Sequence, residues 1–383
     1  MVTTSSGAAE VLHVANKPGL TESGGGHGAK GVDFQRWWSV LRMLELEQSG
    51  AEDFLLLFES VQDVTELDSA STPTFAHIYQ VKKKDRNEWS FNDLTGTTVP
   101  KSSKSKPTPP IKTKVEGSPL GKLHLSLEAF PQLPVDGYFI SNAGFDLPLA
   151  TGGNAATSMP CTLADLAPQH VAQLTDALQL LCGTGAQPPD LHRLKLKKVP
   201  LHPDVPNSHV IHVALDFLRN RSPRHAGQAA SFAESLVTQV SPLGRHTDVC
   251  ASFEELVKER GFARSDFVAA LGALEATPDY LAYLEDWLKQ LQTEGMDFML
   301  ATGIRSQAAR LYSEKLLATT TPTIQSINEF CDQWIKTSPP GPKLLPFFET
   351  GLAALKTKFT GFRDAELMAR FALRAIKSCV DPT

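Results

Sequence analysis

Asp63, Gln80 and Lys82 are the residues of this chain whose types and spacing most readily support chemistry. Asp63 closes the polar run Glu59-Ser60-Val61-Gln62-Asp63, and Gln80 and Lys82 flank Val81 within Phe75-Ala76-His77-Ile78-Tyr79-Gln80-Val81-Lys82-Lys83-Lys84. Side chains alternate faces along an extended strand, so Gln80 and Lys82 point one way and Tyr79 and Val81 the other. The preceding apolar run Phe54-Leu55-Leu56-Leu57-Phe58 reads as a buried strand. Pairing the two strands brings Asp63 near Gln80 and Lys82 at one sheet edge. A carboxylate, an amide oxygen and an ammonium gathered there form a set suited to metal-assisted phosphodiester cleavage. Oxygen ligands point to a hard cation, Mg2+ or Mn2+, with Asp63 as its principal carboxylate. Glu59 reads either as a second carboxylate ligand or as a strand-end residue.

The elements that must position these residues follow from periodicity. Val32 to Gln48 places Phe34, Trp37, Trp38, Leu41 and Leu44 at helical spacing, with Asp33 as the expected N-cap and both tryptophans in the core. Gln35 falls off the main apolar stripe and by itself reads as an exposed polar residue. Residues 1–28 are rich in Gly and Ser and are expected to be mobile; the cluster Gly24-Gly25-Gly26-His27-Gly28 lacks the Gly-Lys-Ser/Thr ending of a phosphate loop. Residues 97–116 read as a flexible basic loop or the approach to the next helix, not a strand. Helices are expected over Gly121 to Phe130 and Ala167 to Leu181, and strands over Gly137 to Asn142 and Leu191 to Val199. From His209 the pattern is almost wholly helical. Ser252 and Glu255 are spaced as a capping box, and helices are expected at 265–274, 278–293, 303–318, 323–336, 343–357 and 363–379. The last of these carries Leu367, Met368, Phe371, Ala372 and Ala375 on one stripe, with Arg363, Glu366 and Arg370 largely off it.

The 383 residues are enough for two domains, and 42% hydrophobic with 21% charged residues is ordinary for a soluble globular protein. No apolar run reaches the about 18 residues of a membrane span. The N-terminus has no signal-peptide core, so a cytoplasmic location without a membrane partner is expected. Five widely spaced cysteines with no zinc-ligand pattern read as reduced, mostly buried thiols. The net charge of −5 weighs against nucleic-acid binding, but nine Lys or Arg stand against three Asp or Glu between Lys82 and Lys114. That stretch reads as a DNA contact or as a solvated basic loop.

The ordered set Gly31-Val32-Asp33-Phe34-Gln35-Arg36-Trp37-Trp38, Glu59 to Asp63, Gln80-Val81-Lys82 and Asn87-Glu88-Trp89-Ser90-Phe91-Asn92-Asp93-Leu94 carries a resemblance. It resembles the D…(D/E/Q)xK signature of restriction-endonuclease-like nucleases, and within them the double-stranded-DNA endonuclease effectors of bacterial anti-phage systems. The helical C-terminal half is most similar to the Lamassu nuclease subunit; cyclic-oligonucleotide (CBASS) effectors carry an α/β sensor there. The resemblance implies a PD-(D/E)xK-type α/β core at 29–204, a mixed central sheet flanked by helices, after a flexible segment 1–28 and before a mostly α-helical assembly domain at 205–383. It implies that Gln35 lines the active site and that the Val81 backbone carbonyl completes the shell of a Mg2+ ion. Lys82 would stand near the attacking water. Gln80 departs from the commoner acidic residue, which removes one negative charge and should weaken metal binding. Lys83, Lys84, Arg86, Lys101, Lys104 and Lys106, from the basic stretch, are the candidate DNA contacts. Double-stranded DNA, an SMC-like ATPase and a small accessory subunit are the partners it implies; a homo-oligomeric active form is expected because a site with one catalytic lysine cuts one strand. A non-catalytic DNA-binding or assembly subunit on the same fold, or a CBASS effector, are the alternatives.

Overall fold

The apolar run ahead of the acidic turn becomes β1 (Leu55–Phe58), buried along its whole length. The computed structural model describes residues 6–20, 29–99, 109–182, 187–245, 248–276, 278–315 and 321–380. The chain divides into two units, Met1–Gly272 and Ala273–Thr383.

In the first unit α1 (Ser6–Ala15) and α2 (Ala29–Gln48) precede β1, β2 (Val64–Leu67) and β3 (Ala76–Lys82). There follow β4 (Trp89–Ser90), α3 (Phe91–Thr95), α4 (Lys112–Glu116), α5 (Pro119–Glu128), β5 (Val135–Ser141) and β6 (Phe145–Asp146). Then come β7 (Cys161–Thr162), α6 (Pro168–Gln179), β8 (Leu194–Lys198), α7 (Asn207–Arg221), α8 (Ala229–Val240), α9 (Phe253–Arg260), β9 (Gly261–Ala263) and α10 (Arg264–Glu275). The main sheet has the order β7-β8-β5-β3-β2-β1-β9. β3, β5 and β8 run parallel, and the other neighbours pair antiparallel. A parallel pair needs a crossover, and α5 supplies it between β3 and β5. Its Leu123 lies so close to the strand that a Cβ at Gly137 would come within 2.9 Å, so glycine is required there.

One sheet face is covered by α1, α5, α6 and α9, whose Val11, Leu123, Leu174 and Leu256 join Ile78 and Phe139 in a single core. The other face is covered by α2, with α7 and α8 packed against it. The sheet is mixed and flanked by helices, as expected. Two details differ. The segment expected to be mobile contains α1, whose Ala8, Val11 and Val14 are buried, and whose Glu10 accepts from the Gln132 and Leu133 amides. Its alanines and valines have a core to enter that local composition does not reveal. The helix expected from Val32 begins at Ala29, so Asp33 lies inside it rather than capping it. The boundary expected at 204/205 falls within this unit, because α7 and α8 pack on α2 and β9 extends the sheet beside β1.

The second unit holds α11 (Tyr280–Thr293), α12 (Phe298–Lys315), α13 (Pro322–Thr337), α14 (Leu344–Lys358) and α15 (Asp364–Val380), within two or three residues of the expected starts except at α12, which starts five earlier. α15 is the hub: its stripe packs inside the unit, with the Phe371 ring against Trp334, Phe347 and Phe348. Arg370, expected off the stripe, is buried and pairs with Glu366 at 3.5 Å. No helix among the described residues is long and apolar enough to cross a membrane. The cysteines are all free; Cys161, Cys250 and Cys331 are buried, Cys182 is half-buried and Cys379 exposed.

Candidate active site

The route by which Asp63 reaches Lys82 differs from the expected one. The segment between Asp63 and Phe75 contains β2, which lies between β1 and β3. β1 ends at Phe58, and Glu59 adopts a left-handed φ of 48° that turns the chain back. The Glu59 amide donates to the Asp63 carbonyl at 3.1 Å, closing the turn, and the Gln62 side-chain amide donates to Ser126 Oγ on α5 at 2.9 Å. β2 then pairs with β3 so that Val64 faces Tyr79. Asp63, one residue earlier, comes alongside Gln80 and Val81.

Its carboxylate takes the place of the next backbone acceptor. The Val81 amide donates to Asp63 Oδ2 at 2.6 Å, extending the β2–β3 ladder by one side chain. Lys82 Nζ donates to the other oxygen, Oδ1, at 3.3 Å. The Asp63 side chain is 0% exposed and that of Lys82 15%, so the pair sits where solvent screens little. Gln80, in the same strand, is also buried.

A stripe of α2 lies along the strand on the opposite face. Gln35 Nε2 donates to the Val81 carbonyl at 3.3 Å, so this residue is buried against the strand and not exposed as its sequence position suggested. The Trp38 ring, three residues on, packs against Tyr79 with centroids 4.7 Å apart and planes tilted by 54°. Arg42, seven residues on, grips Glu66 of β2 with Nε–Oε2 at 2.7 Å and Nη2–Oε1 at 2.8 Å. The Tyr79 hydroxyl donates to the same carboxylate at 3.1 Å. Burial alone would lower the Arg42 pKa, but the Glu66 hydrogen bonds raise it above the ordinary arginine value. Burial and the Glu66 charge push the Tyr79 phenol well up, so it stays a donor. Sequence reasoning missed Arg42 and Glu66. The signal was present as the two-turn spacing from Gln35 to Arg42.

The basic residues behave differently from one another. Lys83 pairs with Asp85 at 2.7 Å. Lys84 pairs with Asp93 at 2.8 Å, donates to the Glu88 carbonyl and lies 4.5 Å from the Trp89 ring centre, so it braces the turn before α3. Arg86 is exposed. Lys101, Lys104 and Lys106 lie outside the described residues. Asn142 exchanges hydrogen bonds with the Lys84 backbone in both directions at 2.9 Å, carrying the β3–β5 pairing past Lys82.

Among the described residues no three His, Cys, Asp or Glu side chains gather into a metal cluster. The oxygens on offer along this part of β3 are those of the Asp63 carboxylate, held 2.6 Å from the Val81 amide, the Val81 carbonyl and, in the same strand, the Gln80 amide. That oxygen-only set fits Mg2+ or Mn2+, since Mg2+ is commonly held by one or two carboxylates with phosphate and water completing its octahedron. The Val81 carbonyl, already accepting from Gln35, keeps a second lone pair. Glu59 lies on the same turn, and its carbonyl accepts from Arg260 at 3.3 Å.

A family model described as Cap4, dsDNA endonuclease domain, matches residues 23–243, more than half of the chain, including α2, the Glu59–Asp63 turn and β3. No curated protein and no solved structure matches the chain.

Proposed function

Because the chain belongs to the family of Cap4 double-stranded-DNA endonuclease domains, we propose that it hydrolyses phosphodiester bonds at Asp63 and Lys82 with a divalent cation. Membership carries the activity, DNA endonuclease, and its setting, anti-phage defence. The observation that supports this centre is the convergence of the Val81 amide and the Lys82 ammonium on the two oxygens of one buried carboxylate.

Asp63 would hold the cation, with the Val81 carbonyl and Glu59 as further oxygens; when bound, Mg2+ or Mn2+ supplies positive charge against the phosphoryl oxygens. The Val81 amide keeps the Asp63 carboxylate oriented. Gln35 fixes the direction of the Val81 carbonyl from the far face. Lys82 presents a compact charge to the scissile phosphate and its attacking water. Gln80 orients water by its amide without adding charge. Plasmid cleavage by the intact protein and by Asp63→Asn, with Mg2+ and with EDTA, tests this reading. Equal cleavage by both proteins would end it.

The second unit, five helices with no strand among its described residues, supports a Lamassu-type subunit over an effector with an α/β sensor. On this reading an SMC-like ATPase and a small accessory subunit hold the nuclease silent until foreign DNA is sensed.

A further inference from the structure

Arg260, the last residue of α9, is the largest of the fully buried side chains, at 1% exposure. Its Nη1 donates to the Glu59 carbonyl at 3.3 Å and its Nη2 to the Asp248 carbonyl at 2.7 Å. Nε is buried without a hydrogen-bond partner, and among the described residues no carboxylate pairs with this guanidinium. A buried cation held only by two carbonyls is unfavourable compared with an apolar side chain of similar size. Its place in the fold offers a reason for its presence.

Glu59 opens the turn that delivers Asp63. Its amide is tied to the Asp63 carbonyl and its own carbonyl to Arg260. The turn is also closely packed by Gly244, where a Cβ would come within 2.9 Å of Glu59 Cβ and 3.1 Å of the Phe58 carbonyl carbon. Sheet register sets the position of Arg260: Leu57 faces Gly261 in the antiparallel β1–β9 pair, so Arg260 comes opposite Phe58, next to Glu59. Glu59 is left-handed without being glycine, a conformation that surrounding contacts must hold.

We propose that Arg260 is a positioning residue for the phosphodiesterase centre: its guanidinium, through the Glu59 carbonyl, holds the Glu59–Asp63 turn in the conformation that presents the Asp63 carboxylate to Val81 and Lys82. This rests on the assignment of Asp63 made above. Arg260 lies outside the matched residues 23–243, so a segment beyond the family region completes the site.

The test uses the full chain with Arg260→Met, which keeps bulk and removes the charge, and Arg260→Lys, which can still reach one carbonyl. Three readouts are taken: melting temperature, the kcat and KM of plasmid cleavage, and hydrogen exchange of the Glu59 amide. The methionine variant should melt at or above the wild-type temperature, since an unpaired buried charge is gone. Its kcat should fall on the order of 10²-fold with KM for DNA unchanged, as expected when reacting groups are displaced by about 1 Å. Glu59 exchange should quicken, and lysine should recover part of both losses. Wild-type kcat in a folded methionine variant overturns the proposal. So does loss of melting temperature and activity in step in both variants, which would make Arg260 merely structural. If the wild-type chain cuts no DNA, the assignment of Asp63 fails, and unchanged Glu59 exchange then separately overturns the role of Arg260.

Discussion

Lys82 and Asp63 form an ion pair at 3.3 Å in which the carboxylate is wholly shielded from solvent. Removing Lys82 therefore takes one donor from a buried carboxylate that keeps the Val81 amide. Lys82→Ala should abolish cleavage and also lower stability by roughly 1–3 kcal/mol, more than an exposed lysine would. The double variant Asp63→Asn with Lys82→Met should regain most of that stability and none of the activity. Denaturant midpoints and a cleavage assay on the same preparations decide it; cleavage by Lys82→Ala at the wild-type rate would remove this residue from the catalytic set.

Cation dependence follows from the oxygen-only donor set. Cleavage should stop with EDTA and return with Mg2+ or Mn2+. Gln80→Glu adds a carboxylate in a buried position and should lower the Mg2+ concentration for half-maximal cleavage by about tenfold. The same variant should melt earlier without metal, because the new charge is then buried without the cation that would offset it. An unchanged metal titration would place Gln80 away from the ion.

Arg42→Met strands the Glu66 carboxylate with only the Tyr79 hydroxyl as its remaining donor in this network. We expect a loss of about 3 kcal/mol by denaturant unfolding, largely recovered in Arg42→Met with Glu66→Gln. Loss of the grip should also loosen Gln35 from Val81, read as a fall in kcat. A stable Arg42→Met variant with wild-type kcat would show that α2 is held without this pair.

Three histidines set a pH dependence. Burial lowers the pKa of His77, His124 and His170 below the ordinary 6.5. Below that value the unfolded chain takes up protons that the folded chain does not. Stability is therefore full above pH 6.5 and falls as pH drops toward the lower folded values, by at most ~1.4 kcal/mol per pH unit for each group. Replacing His77 by Phe, which can keep the ring contacts with Phe75 and Tyr138, should flatten the slope of melting temperature against pH. The same slope in both proteins would remove His77 from this effect.

On the assignment proposed above each chain carries one catalytic lysine and cuts one strand, so we propose that a double-strand break takes two chains facing the duplex. The cleaving species should be a dimer or larger, and the partner-bound protein a silent monomer. Light scattering and cleavage on the same fractions check this. A monomer that makes double-strand breaks, or a partner complex that cuts constitutively, would overturn it.

Much of the fold was legible in the sequence wherever a segment was long enough to show a period. The apolar run at Leu55–Phe58 and the alternation of Leu194–Lys198 identify strands. The helical patterns from residue 264 onward match α10 to α15, because apolar residues at three- and four-residue spacing have a helix face as their simplest common burial. The Gln80-Val81-Lys82 strand and the acidic turn before it were readable for the same reason. Only the tertiary structure decided how they meet. β2 and β9, short and without the continuous apolar run that marks β1, carry no readable pattern and pair along the two edges of β1. Gln35, Glu66 and Arg260 are buried polar side chains and Arg42 a half-buried one, and whether such a residue is buried depends on a partner supplied from elsewhere in the chain. For Arg260 and Glu59 that partner lies 201 residues away, a separation over which sequence spacing carries no signal.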